Sequence, residues 1–121
     1  MKLCVTSQGD NLDAQVDPRF GRCRYFIIAD TDTPGFEAIE NPNISGMGGV
    51  GVQSGQFMSE KQVKAVLTGN AGPNAFRTLQ AADIEIITGI SGSVKEAIEK
   101  YKKGELKPAD DPSVDSKFGM G

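Results

Sequence analysis

The chain has 121 residues, with 13 Lys+Arg, 16 Asp+Glu, two Cys and no His. That length suits one domain, and the net charge of −3 argues against a nucleic-acid module, which is usually basic. The lack of His removes Ser-His-Asp and Cys-His catalysis and His-ligated zinc, and two Cys cannot build a four-cysteine zinc or iron–sulfur site in one chain.

No apolar run approaches the roughly 18 residues that span a bilayer. The start, Met1-Lys2-Leu3-Cys4-Val5-Thr6, goes directly into a strand pattern with no secretory leader. Two Cys are too few for a disulfide scaffold, so the expected setting is cytoplasmic, with no nucleic-acid or membrane partner. Gly is abundant, 15 residues, and its placement carries most of the reading.

Lys2–Ser7 reads as a first strand, with Leu3 and Val5 alternating against Lys2, Cys4 and Thr6. Gln8–Arg22 is polar and turn-rich. The apolar run Tyr25–Ala29 predicts a buried strand, a turn with Pro34 and Gly35 follows, and Phe36–Glu40 predicts a short third strand. Asn41–Gly51 is a loop carrying Gly46, Gly48, Gly49 and Gly51, and a helix is expected over Val52–Glu60. Gly55 inside that helix suggests close packing on a neighbour.

Val63–Thr68 is a fourth strand, followed by a second Gly-rich loop, Gly69–Asn74. Ala75, Phe76, Leu79 and Ala82 recur at helical spacing, and Ile84–Thr88 is a fifth strand. Val94, Ala97, Ile98 and Tyr101 mark the third helix; Ser93 and Glu96 supply a capping box and Gly104 suits its C-cap. The polar segment 106–121 is expected to be a mobile tail beyond a domain over 1–105.

The element order is therefore β-β-β-α-β-α-β-α. Right-handed crossovers and neighbouring hairpins predict an α/β fold with a single five-stranded mixed sheet in the order 3-2-1-4-5 and three helices. The Gly-rich loops and all three helix N-termini then gather on one edge, at the strand C-termini. Helix N-termini favour anions and Gly admits close backbone approach. Arg19, Arg22 and Arg24 fall on the same edge, so the expectation is an anion-binding cleft.

Within that cleft the candidate contacts are Arg19, Phe20, Gly21, Arg22, Cys23, Met47, Gly48, Gly49, Gly69, Asn70, Gly72, Asn74, Gly89 and Gly92. Cys23, between Arg22 and Arg24, is a candidate metal ligand if its thiol pKa is lowered, or else an inert small residue. Phe20 suits a buried loop anchor better than a cleft wall, and Asn70 and Asn74 suit turn chemistry as well as ligand contact. The Gly motifs match neither a Walker loop nor a dinucleotide fingerprint. No general acid–base set is evident, so the chain reads as non-catalytic.

Asp17-Pro18-Arg19-Phe20-Gly21-Arg22-Cys23-Arg24-Tyr25-Phe26, Asn41-Pro42, the Gly-rich 46–51 loop, 68–76 and 89–94 occur in an order that resembles the dinitrogenase iron-molybdenum cofactor biosynthesis family. That family includes NifX-like proteins, the NifB C-terminal domain and the orange protein. The resemblance implies a ribonuclease H-like fold and non-catalytic carriage of an anionic metal–sulfur cluster. The cluster would be an iron-molybdenum cofactor precursor or a molybdenum–copper sulfide, received from a donor protein or passed to an acceptor. Arg19 stands where the family signature usually has His, and Cys23 where a small residue is common. The alternatives are an enzyme acting on an anionic small molecule in the same cleft, or an interaction module without a ligand.

Overall fold

The structure is a computed structural model that describes residues 1–41 and 50–109. Strands β1 (Lys2–Ser7), β2 (Tyr25–Asp30) and β3 (Phe36–Glu40) precede α1 (Val50–Glu60), β4 (Val63–Leu67), α2 (Pro73–Ala81), β5 (Glu85–Ile87) and α3 (Val94–Lys102). One five-stranded sheet forms in the order β3-β2-β1-β4-β5. β2 runs antiparallel to β1 and to β3, while β1, β4 and β5 are parallel. The α/β architecture and strand order are those expected from the sequence.

The period of two sorts the strands between two cores. Cys4, Phe26, Ile28, Val66 and Ile86 face α1 and α2, where Met58, Ala75, Phe76 and Leu79 close over them. Leu3, Val5, Ile27, Ala65, Leu67 and Ile87 face α3 through Val94, Ala97 and Ile98. Register matches this sorting: Cys4 lies between Ile28 and Val66, and Val5 between Ile27 and Leu67.

Because β1, β4 and β5 are parallel, α1 and α2 both run against the strands and begin at the same edge. They pack side by side at one level. A Cβ at Gly55 would lie 2.6 Å from Thr78 Cγ2, so the glycine permits the approach expected of it.

Two helix starts differ from expectation. α1 begins at Val50, two residues early, and α2 at Pro73, because Pro suits the first helical position, where its missing N–H costs nothing. The segment after α3 does not leave the domain at once: the Ala109 N–H donates to the Ile86 carbonyl at 2.7 Å, and Leu106 and Ala109 pack on the two cores. The remainder of the expected tail, 110–121, lies outside the described residues.

At α3 the Ser93 hydroxyl accepts from the Glu96 N–H (3.1 Å), and the Glu96 carboxylate accepts from the Ser93 N–H (3.0 Å). The bonds that the Ser93 N–H and the Ser93 hydroxyl (3.2 Å) donate to the Glu96 carboxylate hold it below its ordinary value of 4.5. A depressed carboxyl contributes stability above its unfolded pKa and loses it as pH falls through the folded one. Ser93→Ala is expected to cost about 1 kcal/mol by chemical denaturation. Glu96→Gln should keep the cap and flatten the acid dependence below pH 4.5; an unchanged pH profile would contradict this role.

Candidate functional site

The loop after β1 folds back as a strap across the strand C-termini. It pairs Val16 with Ser7, Gln15 with Ser93, and Arg19 with Asn70. Its central fixing point is buried: the Thr6 hydroxyl donates to the Asp17 carbonyl (2.7 Å) and pairs with the Thr68 hydroxyl (2.8 Å). The Asp17 N–H returns a bond to the Thr6 carbonyl at 2.9 Å. These bonds tie the strap to the ends of β1 and β4 at once.

The strap also uses the start of α3. The Ala14 carbonyl accepts from Val94 N–H and the Leu12 carbonyl from Lys95 N–H, each at 2.9 Å. Ser93 takes the next two donors, Glu96 N–H through its hydroxyl and Ala97 N–H through its carbonyl. The α3 N-terminus is thus satisfied from within, so of the three helix N-termini expected at this edge this one has no first-turn donor left for a ligand. Gly92 (φ +87) supplies the left-handed turn at this junction, and its carbonyl accepts from Val16 N–H. Gly89 (φ +75) turns the chain after β5 and donates to the Gly69 carbonyl. Gly89 and Gly92 therefore shape the closed half of the edge.

Among the described residues the other half is left uncapped. α2 starts at Gly72 with no side-chain cap and with Pro73 in its first turn. Among the described residues nothing accepts from the N–H groups of Asn74 or Ala75. The backbone start of α1 is the neighbouring helix end. Two parallel helices therefore present their positive ends together, where an anion gains from both. Asn74 is exposed here, its carbonyl accepting from Thr78.

Arg19 borders this half, with a side chain 60% exposed. Arg22 and Arg24 are also exposed. Asn70 is already engaged: its amide donates to the Pro18 carbonyl at 3.2 Å and locks the strap beside β4. Gly69 allows that lock, since a Cβ there would lie 2.6 Å from Pro18 Cα. Met47, Gly48 and Gly49 lie outside the described residues.

Phe20 is a core anchor, 2% exposed and tilted against Phe26 at 5.9 Å between centroids. Cys23 is fully buried in the same cluster. Desolvation first, and the Asp17 charge second, push its thiol well above the ordinary value, outweighing Arg19. The expected lowering by neighbouring arginines is therefore corrected: Arg22 and Arg24 are exposed residues, while the Cys23 sulfur sits in the core. Among the described residues no group of three or more His, Cys, Asp or Glu gathers as a metal site.

One organising residue stands outside the expected contacts and is marked in the sequence only as part of the Asn41-Pro42 motif. Asn41 is buried, and its amide donates to the carbonyls of Gly21 (3.1 Å) and Cys23 (2.9 Å). It shapes the turn that presents Arg22 and Arg24. Its only sequence signal is the Asn-Pro pair after β3. The buried thiols yield a direct check: Cys4 and Cys23 should react with Ellman's reagent on the order of a hundredfold more slowly in the native protein than in denaturant. Rapid labelling of either native thiol would contradict the placement.

The family model for the dinitrogenase iron-molybdenum cofactor matches residues 1–104. An uncharacterized protein of Methanocaldococcus jannaschii is 30% identical over 110 residues, covering 88% of this chain and 90% of its own. Among solved structures, the apo orange protein of Desulfovibrio gigas is 32% identical with a TM-score of 0.90, covering 93% of this chain and 96% of that one. A candidate NifB protein from Thermotoga is 33% identical with a TM-score of 0.82, covering 95% and 98%. Domain-length coverage by the family model, together with the same fold in these relatives, places the chain in the dinitrogenase iron-molybdenum cofactor family.

Proposed function

We propose that this protein is a non-catalytic carrier whose cargo is an anionic metal–sulfur cluster, received from a donor protein and released to an acceptor. The observation that carries the reading is the open half-edge: two adjacent helix N-termini bordered by exposed Arg19, with Arg22 and Arg24 exposed on the same strap. Family membership and the likeness to the orange protein and the candidate NifB protein support the class of cargo. The cargo would be a molybdenum sulfide with iron or copper.

The donor set fits such a cargo in a particular way. With Cys4 and Cys23 buried as thiols, no His in the chain and no gathered set of three His, Cys, Asp or Glu among the described residues, this edge offers charge and N–H groups. Sulfides on the outside of a cluster accept these hydrogen bonds while the metals keep their own sulfur. A charge-assisted bond contributes about 1.5–3 kcal/mol and each helix end about 0.3–1 kcal/mol. A few such contacts correspond to labile binding, in the millimolar to micromolar range. Labile binding suits a protein that must give its cargo away.

The test is thermal unfolding with tetrathiomolybdate plus Cu(I), with the visible spectrum read on the same sample. At 100 times its Kd a ligand stabilises the fold by about 2.7 kcal/mol. Wild-type protein should melt later and develop a charge-transfer band. Arg19→Ala should weaken binding about tenfold through its lost charge. A wild-type protein with neither shift nor band would overturn the reading.

A further inference from the structure

We propose that Asp17 sets the strength and the lifetime of the bound anion by competing with it for Arg19; this rests on the carrier reading above. A carboxylate 2% exposed beside an anion site is a standing cost to affinity, because it repels what the site attracts. Its surroundings keep it there. Both sides of the Asp17 peptide are bonded to Thr6, and the next residue, Pro18, is held through its carbonyl by Asn70. The carboxylate therefore has no easy way to swing out when an anion arrives.

Arg19 is placed differently. Its backbone N–H donates to Asp17 Oδ1 at 3.0 Å, which fixes the residue's direction of departure from the strap. Its side-chain Nε lies 3.5 Å from the same oxygen, a long contact on a side chain that is 60% exposed. The backbone bond is firm and the side-chain pair is loose. An anion at the open half-edge takes the guanidinium from Asp17, and Asp17 takes it back when the anion leaves. Asp17 is thus a positioning residue acting through Arg19, and its charge favours release.

This gives an effect of unusual sign. Asp17→Asn keeps an acceptor oxygen for the Arg19 N–H but removes the competing charge. It should tighten the binding of tetrathiomolybdate alone about fivefold and slow its dissociation by a similar factor. In an Arg19→Ala background the same change should gain less than about twofold, because its partner is gone. Asp17→Ser, with a smaller neutral acceptor, should also tighten binding and serves if the Asn variant is poorly folded.

Stopped-flow rates and equilibrium titration on the full chain read these outcomes, with circular dichroism confirming the fold. Folded Asn and Ser variants that bind as wild type, or more weakly, overturn the proposal. An equal gain with and without Arg19 overturns the route through that residue. A wild-type protein that binds no tetrathiomolybdate defeats the carrier reading itself, a result distinguishable from both.

Discussion

The strand-end edge hangs on one buried pair of hydroxyls. Thr6 is the next-to-last residue of β1 and Thr68 follows β4, and their oxygens meet at 2.8 Å with the Asp17 carbonyl as a further acceptor. The strap above the strand ends is located by that junction. Asp17 fixes Pro18; Pro18 meets Gly69 and Asn70; Arg19 follows from both. Removing a buried partner leaves the others unsatisfied, which costs about 1–3 kcal/mol per group, so the junction constrains the strap more tightly than its polar, turn-rich sequence suggests.

The same strap makes the edge asymmetric. On the α3 side, carbonyls of Leu12 and Ala14 and the Ser93–Glu96 box occupy every first-turn donor. On the α1/α2 side, Gly72 and Pro73 leave the helix start without a side-chain cap. One half is closed by the protein's own backbone; in the other, no described residue takes the Asn74 and Ala75 N–H groups at the start of α2. β3, β4 and β5 all end at this edge and each leads into a helix, and the chain uses the start of α3 for its own stability. The division also places the arginines: the strap passes the closed half first and reaches Arg19 only beside β4.

Local physics was legible in the sequence. Strand alternation assigned the sheet, crossover handedness gave its order, and the Ser93/Glu96 spacing gave the capping box. Gly104, expected at the end of α3, has φ +73. What escaped is long-range. The Leu12 carbonyl and the Lys95 N–H are 83 positions apart in the chain, so nothing local to α3 marks its donors as taken. Gly69 looks like any loop glycine until Pro18 arrives beside it. Cys23 between two arginines reads as an activated thiol, yet alternation at the strand's threshold turns its side chain into the core while the flanking arginines face out.

The central claim is that an anionic cluster sits at the α1/α2 half of the edge and leaves the α3 half untouched. Amide chemical-shift mapping of the labelled protein during a tetrathiomolybdate titration tests this residue by residue. The account predicts saturable shifts at Arg19, Asn70, Gly72, Asn74, Ala75 and the first turn of α1, with Ser93–Ala97 unmoved. Shifts centred on the N-terminus of α3, or spread evenly over the surface lysines, would contradict it.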